Sequence, residues 1–228
     1  MNKSSSQNRL LVMVSIRLLM GIAIVGLIFF LTAGSIQYWQ AWLYMTVLFV
    51  PMIIYAFYLF KNQQTVLERR MNLKERENQQ KWIIVLLSLL ILAIFLIPGF
   101  DKRFEWSFVP VWFSIVANIL VFAGYLVFIL TVKTNEFASR TVAVEEEQQV
   151  ISHGVYVIVR HPMYMAMTII FLFTPIALGS YWAIIPAILF PCILAMRLIN
   201  EEKKLLKELD GYEDYIEKVK YRLIPGIW

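Results

Sequence analysis

The sequence contains only one cysteine in 228 residues, and this scarcity excludes two classes of structure. Cys192 has no partner for an intrachain disulfide, and a cysteine-based metal cluster is excluded. Because Cys192 lies inside an apolar run, we expect a small, buried apolar side chain there. The sequence also lacks a strand pattern followed by a glycine-rich turn, which excludes the nucleotide-binding motif of soluble Rossmann-type domains.

Acidic residues are the less abundant charged type, with 16 Asp and Glu against 21 Lys and Arg. A basic excess can indicate nucleic-acid binding, but hydrophobic residues make up 60% of this chain and its mean hydropathy is +0.66. A soluble domain of this size is only about half apolar. The composition therefore predicts an integral membrane protein that contacts lipids, with its extra Lys and Arg in cytoplasmic loops and no nucleic-acid partner.

Long apolar runs predict six transmembrane helices, because each run approaches the length that crosses a hydrocarbon core about 30 Å thick. The first run is longer than the apolar core of a signal peptide, so we interpret it as a retained span. The last run has double length and contains the turn signal LGSYW, which predicts a tight helical hairpin. The runs are Leu10–Ala33, Tyr38–Phe60, Trp82–Pro98, Phe108–Val132 and Met163–Ile199, the last interrupted at Leu178–Trp182.

Basic residues are distributed unevenly among the loops. Lys61–Lys81, Lys133–Pro162 and the C-terminal tail carry most of the loop Lys and Arg, whereas Thr32–Gln37 and the turn at Gly179 carry none. Basic loops face the cytoplasm, so we expect both termini there, as an even number of spans requires. We interpret Lys61–Lys81 as a solvated amphipathic connector. The predicted fold is an all-α integral membrane protein with about six transmembrane helices and a cytoplasmic C-terminal helical segment.

The stretch HGVYVIVRHPMYMA, His153–Ala166, places ionisable side chains where an apolar run begins. Pro162 fits the first turn of a helix, because a missing N–H costs nothing there. His161 then lies near the N-cap, beside free backbone N–H groups and the positive end of the helix dipole. Arg160 adds a positive charge, so the pattern indicates a site for an anionic ligand.

Arg197 and Glu201 lie at the other end of the predicted hairpin, four residues apart and therefore on one helix face. Ionisable residues within a membrane segment are candidates for function by default. A purely structural interpretation stays open beside this one. Arg160 and His161 would then anchor the helix at the membrane surface, and Arg197 with Glu201 would form an interfacial ion pair worth less than about 1 kcal/mol.

Two separated motifs resemble a known family. GVYVIVRHPMY, Gly154–Tyr164, is similar to the G-x-Y-x-x-x-R-H-P-x-Y signature of the isoprenylcysteine carboxyl methyltransferase family. RLINEEKKLLKELDGYEDYIEKVKYRLIPGIW, Arg197–Trp228, is similar to that family's C-terminal R-x-x-x-E-E-x-x-L…G-x-x-Y-x-x-Y…P pattern. The resemblance covers Ser139–Trp228 and departs from the family at Ala166, where many relatives carry glycine.

The resemblance implies a membrane methyltransferase that uses S-adenosylmethionine, needs no metal, and acts on a lipophilic or membrane-associated acceptor. Arg197 and Glu201 would be catalytic, with Arg197 facing the acceptor, and Ala166 would narrow the space beside the cofactor. Polar residues become frequent after the fourth span. We therefore divide the chain into a four-helix membrane region, residues 1–132, and a cofactor-binding region, residues 133–228. The implied cofactor-binding residues are Gln148, Gln149, Val150, Ile151, Tyr156, His161, Pro162, Met163, Tyr164 and Glu201.

Two other functions stay open on the sequence alone. Some membrane sterol reductases resemble this family in their C-terminal helices and bind NADPH, whose 2′-phosphate would require additional Arg or Lys near the pocket. A non-enzymatic helical scaffold would instead tolerate substitution of the pocket residues. The methyl acceptor is also open, because a carboxylate, an amine and a thiol are all compatible with the pattern.

Overall fold

A computed structural model describes residues 3–71, 78–135, 137 and 148–228. The predicted all-α class is confirmed, because these residues form helices, turns and irregular segments without a strand. The helices are α1 (Lys3–Ala33), α2 (Trp39–Asn62), α3 (Gln64–Met71), α4 (Asn78–Phe104), α5 (Val111–Thr134), α6 (Pro162–Ala177), α7 (Ile184–Glu208) and α8 (Tyr212–Lys218), with a short 3₁₀ turn at Gly154–Val157.

Five of the helices are long and apolar enough to cross a membrane, namely α1, α2, α4, α5 and α7. Helix α6 has 16 residues, which at about 1.5 Å per residue is shorter than a hydrocarbon core about 30 Å thick. Five of the six predicted spans are therefore confirmed by length and composition, and the sixth is a shorter apolar helix. The chain is a multi-pass membrane protein, and the predicted orientation of its termini stays a prediction.

Two glycines allow neighbouring helices to approach closely. A Cβ atom on Gly124 of α5 would lie 3.0 Å from Ile169 and Ile170 of α6, and 3.2 Å from the Ala166 carbonyl. A Cβ on Gly99 of α4 would lie 1.7 Å from Oγ1 of Thr32 on α1. Ala166 is fully buried next to the α5–α6 contact, so the residue that departs from the family pattern lies where these two helices pack.

One cluster of buried apolar side chains extends from Phe29 on α1 to Leu223 near the C-terminus. Helices α5 and α6 pack closely together, while α4 packs on both α1 and α7. The core is therefore shared across residue 132, and the division of the chain into regions 1–132 and 133–228 stays a prediction.

The predicted hairpin of α6 and α7 turns at residues 178–183. We call this turn, together with the adjoining start of α2 and end of α4, the turn end. Gly179 has a φ of +81°, a conformation that costs glycine little. The buried Ser180 hydroxyl donates to Asp101 Oδ2 at 2.5 Å. Asp101 also accepts bonds from the Ser107 N–H and hydroxyl at 2.7 Å each, and Tyr38 donates to the Leu178 carbonyl at 2.5 Å.

Two expectations from the sequence are wrong. Within the predicted solvated connector, α3 forms a helix that buries Val66, Leu67 and Arg70, because it packs against α2. Residues 72–77 of that connector lie outside the described residues. Cys192 is exposed on α7 rather than buried, with its sulfur 3.6 Å from the Ile188 carbonyl, as suits a helix face that contacts lipid.

Candidate functional site

The candidate site lies opposite the turn end, where α6 begins and α7 leaves its apolar segment. We call this region the site end, and it includes α3, the start of α4 and residues 220–224. Pro162 occupies the first turn of α6, as predicted. The backbone N–H groups of Arg160 and His161 donate to the carbonyls of Tyr221 (2.9 Å) and Arg222 (3.0 Å). The C-terminal segment is therefore fastened alongside the start of α6.

The anion at the start of α6 is a side chain of the protein itself. Glu202 of α7 lies 3.2 Å from Arg160 Nη1, 3.3 Å from His161 Nε2 and 2.7 Å from Arg222 Nε. The His161 carbonyl also accepts the backbone N–H groups of Tyr164 and Met165 at 3.1 Å each. Glu202 therefore pairs with the basic side chains at this helix start, and the expected binding of an external anion there stays a prediction.

A second cluster joins Tyr164 of α6 to Arg197 and Glu201 of α7. The Tyr164 hydroxyl donates to Glu201 Oε2 and accepts from Arg197 Nε at 3.2 Å. Arg197 also donates through Nη1 to Oε1 of Gln80, at the start of α4, at 3.3 Å. Arg197 and Glu201 do share one helix face, but a tyrosine hydroxyl bridges them. This geometry differs from the simple interfacial ion pair that the four-residue spacing allowed.

Arg70 reaches the same region from α3. Its guanidinium is buried, lies 4.8 Å from the centre of the Phe128 ring, and has Nη1 3.9 Å from the Met163 sulfur. Met163 is half-buried in the first turn of α6. The site end therefore has a buried cation next to one of the predicted cofactor-binding residues, contributed by a helix that precedes the family resemblance.

Tyr156 lies in the 3₁₀ turn before α6. Its hydroxyl accepts from Asn135 Nδ2 at 3.0 Å, and its carbonyl accepts the Tyr215 hydroxyl at 2.7 Å. Burial raises the pKa of the Tyr156 phenol to about 12, and the hydrogen bond from Asn135 opposes that shift. The Glu201 carboxylate raises this pKa further.

The segment 148–151 extends toward the 3₁₀ turn without forming a helix. Gln149 is exposed, whereas Gln148, Val150 and Ile151 are partly buried. Val150 and Tyr156 pack against a cluster formed by Leu209, Tyr212, Tyr215 and Val219 around α8. Among the described residues, no group of three or more His, Cys, Asp or Glu side chains could hold a metal ion.

The structure gathers some predicted site residues and adds others. Tyr164, Arg197 and Glu201 meet directly, while His161 is bonded to Glu202 and stacks on the Tyr164 ring with centroids 5.8 Å apart. The sequence analysis missed four residues of the candidate site. Two features of the sequence could have indicated them: the second glutamate of the EE pair and the excess of Arg at the site end. The four residues are Arg70, Gln80, Glu202 and Arg222.

One known protein family matches part of the chain. The sequence profile described as phospholipid methyltransferase matches residues 112–212, from the first turn of α5 to the start of α8. No curated protein matches the sequence. The match includes both quoted motifs up to Tyr212 and all of α6 and α7. The predicted resemblance to the isoprenylcysteine and phospholipid methyltransferase family is thereby confirmed over this segment.

Proposed function

We propose that this chain, whose residues 112–212 form a domain of the phospholipid methyltransferase type, transfers a methyl group from S-adenosylmethionine to a lipophilic acceptor. The observation that carries the proposal is the cluster of Tyr164, Arg197 and Glu201 between α6 and α7. A buried arginine in an apolar helix is costly, and such residues most often serve function.

The side chains at the site end fit the charges of S-adenosylmethionine. Its sulfonium and amine are favoured by a carboxylate and by aromatic faces, which Glu201, Tyr164 and Tyr156 supply. Glu201 is partly exposed, whereas Glu202 is buried and already paired, so Glu201 is the carboxylate available to the cofactor. The further residues that would hold it are those implied by the resemblance, Gln148 to Ile151 and His161 to Met163.

When bound, S-adenosylmethionine supplies a methyl group on a positive sulfur, and the acceptor's lone pair forms the new bond as the carbon–sulfur bond breaks. The protein's own contribution is positioning, which can lower a barrier by about 7–11 kcal/mol in favourable cases. The Tyr164 hydroxyl fixes Glu201 and Arg197 relative to each other. Arg197, held by Tyr164 and Gln80, would orient the acceptor.

The acceptor would come from the membrane. Helix α7 carries Arg197 on its buried face and Ile188, Leu189 and Met196 on its exposed face, so one side of the helix that bears the site would contact lipid. A lipophilic acceptor would enter between helices, while the water-soluble cofactor would enter from the cytoplasm. We infer the same cytoplasmic side for both termini from the distribution of Lys and Arg.

The orientation is tested by labelling single cysteines in a Cys192→Ser protein in sealed membranes. Cysteines at Ser6 and Asp210 should react with an impermeant reagent only from the cytoplasmic side, and a cysteine at Trp182 only from the opposite side. The reverse pattern would contradict the orientation. Trp182 and Asp210 are exposed at opposite ends of α7.

The activity is tested with purified protein, membrane extract and S-adenosylmethionine labelled in the methyl group. We expect labelled lipid, and we expect S-adenosylhomocysteine rather than NADPH to raise the melting temperature, because a ligand stabilises the state it binds. Glu201→Gln should weaken S-adenosylhomocysteine binding at least about tenfold, since hydrogen bonds to charged groups are worth about 1.5–3 kcal/mol. Exposed Glu213 on α8, changed to Gln, is the matched control. Binding of NADPH alone would contradict the proposal and favour a reductase.

A further inference from the structure

A groove of about 340 Å³ lies on the surface between the 3₁₀ turn and the C-terminal segment. This volume is near the lower limit for ligand sites, which is about 300 Å³. The groove shares no residue with the Tyr164 cluster or with the residues implied to hold the cofactor. Val157 and Ile158 line it from the side of the 3₁₀ turn, and Lys218, Lys220, Tyr221 and Pro225 line it from the C-terminal segment.

Hydrogen bonds hold the two sides of the groove together. The Arg160 backbone N–H donates to the Tyr221 carbonyl at 2.9 Å, and Arg160 Nη2 donates to the Lys220 carbonyl at 3.4 Å. The Tyr215 hydroxyl donates to the Tyr156 carbonyl at 2.7 Å. The groove is therefore already formed in the folded chain, so a ligand that binds there orders few additional groups.

The apolar side chains of the groove are exposed close to the point where α6 begins. Val157 is 58% exposed, Ile158 50% and Tyr221 40%. Ile158 precedes Pro162, the first residue of the apolar helix α6, by four residues. Apolar side chains gain free energy on leaving water, and tyrosine is enriched where a membrane meets water. The groove is thus suited to face lipid headgroups.

Two lysines give the groove a positive charge. Lys218 is the last residue of α8, Lys220 follows two residues later, and both are exposed. Neither ammonium group forms an ion pair within the part of the chain that the structure describes. The acidic neighbour Glu217 is exposed but does not line the groove. Lysine binds phosphate as a point charge, and its stem can lie along apolar surface.

We propose that this groove binds the headgroup of an anionic phospholipid of the surrounding bilayer. Lys218 and Lys220 bind the phosphate, while Val157 and Ile158 contact the glycerol and the first part of an acyl chain. This lipid is distinct from the methyl acceptor, because the groove does not include the Tyr164 cluster. The proposed orientation would place the groove at the cytoplasmic leaflet, whose surface potential is negative.

Lipid bound in the groove stabilises the contacts at the start of α6. The Tyr221 carbonyl accepts from the Arg160 N–H, and the next carbonyl, that of Arg222, accepts from the His161 N–H. A lipid that restrains Tyr221 also restrains these two hydrogen bonds. Because a ligand stabilises the state it binds, anionic lipid content sets how firmly the C-terminal segment is held.

Binding is measured by mass spectrometry of the intact purified protein in detergent, with phosphatidylglycerol and phosphatidylcholine of the same acyl chains. We expect phosphatidylglycerol to bind the wild type, and to bind the double variant Lys218→Gln, Lys220→Gln about thirtyfold more weakly. Each basic side chain near an anionic lipid surface contributes about fivefold in affinity. Ile158→Ser should weaken this binding severalfold without any change of charge.

The matched control is the double variant Lys203→Gln, Lys207→Gln, which removes the same charge from exposed positions of α7 outside the groove. It should bind phosphatidylglycerol nearly like the wild type. Phosphatidylglycerol should raise the melting temperature of the wild type and of this control above the value in phosphatidylcholine. The Lys218 and Lys220 double variant should lack that rise, and equal melting temperatures in phosphatidylcholine would verify that all variants fold.

Three results would overturn the inference. They are equal binding of the two lipids to the wild type, wild-type affinity of the Lys218 and Lys220 double variant, and equal losses in the two double variants, which would indicate diffuse attraction. Glycerol 3-phosphate is the probe for a free phosphate, and its binding as tightly as phosphatidylglycerol would exclude a lipid as the occupant. Failure of the proposed function gives a different result, in which S-adenosylhomocysteine does not bind and the lipid titrations are unchanged.

Discussion

The two ends of the helical bundle bury polar groups in different ways. At the turn end, hydroxyl, amide and carbonyl groups predominate, and the buried charge in the described part of that end is Asp101. Asp101 is satisfied by Ser107 and Ser180. At the site end, Arg70, Arg160, Arg197 and Glu202 are all buried.

The contrast between the two ends distinguishes polar groups that stabilise the fold from charged groups that can bind a ligand. A buried polar group with all its hydrogen bonds made contributes a defined geometry, which is what a tight turn between α6 and α7 requires. Buried charges are expensive to desolvate even when paired. A chain that concentrates buried charges at one end gives that end a capacity to bind a charged ligand.

The largest expected effect is on the contacts that hold the C-terminal segment against the start of α6. Glu202→Gln removes the carboxylate that pairs with Arg160 and Arg222 and leaves a buried arginine uncompensated. We expect the free energy of unfolding to fall by about 3–5 kcal/mol, measured by reversible unfolding in mixed micelles. Glu201→Gln, one residue away and partly exposed, should cost much less stability. Equal losses for both variants would show that burial of Glu202 is not decisive.

An intermediate effect is expected for Tyr164→Phe, which keeps the ring and removes the hydroxyl between Arg197 and Glu201. Two hydrogen bonds to charged groups are lost, so S-adenosylhomocysteine should bind about tenfold to a hundredfold more weakly by calorimetry. Tyr212→Phe is the matched control, because its buried hydroxyl has no partner in the described residues. The proposed role of the Tyr164 hydroxyl fails if both variants bind like the wild type.

The smallest effect is expected at the turn end. Asp101→Asn keeps an oxygen that accepts from the Ser107 N–H. The new amide N–H groups can donate to the hydroxyl oxygens of Ser107 and Ser180, because these hydroxyls rotate. We expect a loss of stability below about 1.5 kcal/mol, measured by thermal unfolding, and unchanged affinity for S-adenosylhomocysteine. A tenfold loss of that affinity would mean that the two ends are energetically coupled.

The sequence predicted most of the helices and three residues that meet in the candidate site, and the errors have physical causes. Long apolar runs determine α1, α2, α4, α5 and α7 because membrane helices need little else. Arg197, Glu201 and Tyr164 were identified because two motifs frame the hairpin. Gln80 could not be identified, because nothing in a sequence shows that the start of α4 packs on α7.

Adjacent residues on a helix face different directions, which explains the error over the two glutamates. Glu201 points toward Tyr164 and Glu202 toward Arg160, so neighbouring carboxylates have different partners. Arg70 was missed for a related reason. The charged composition of α3 indicates solvent exposure, but its arginine lies against Phe128 once the helix packs on the bundle.

The contacts of Arg160 and His161 at the start of α6 are made with residues that are synthesised later, and this order matters for biosynthesis. Glu202 leaves the ribosome 41 residues after His161, and Lys220 follows Arg160 by 60 residues. At about 5–20 residues per second, α6 waits roughly 3–12 s before its last partner has been made. Until Glu202 has been made, Arg160 has neither the Glu202 carboxylate nor the Lys220 carbonyl to bind. The nascent chain must keep this arginine hydrated at the membrane surface, so α6 can settle to its final depth only late in synthesis.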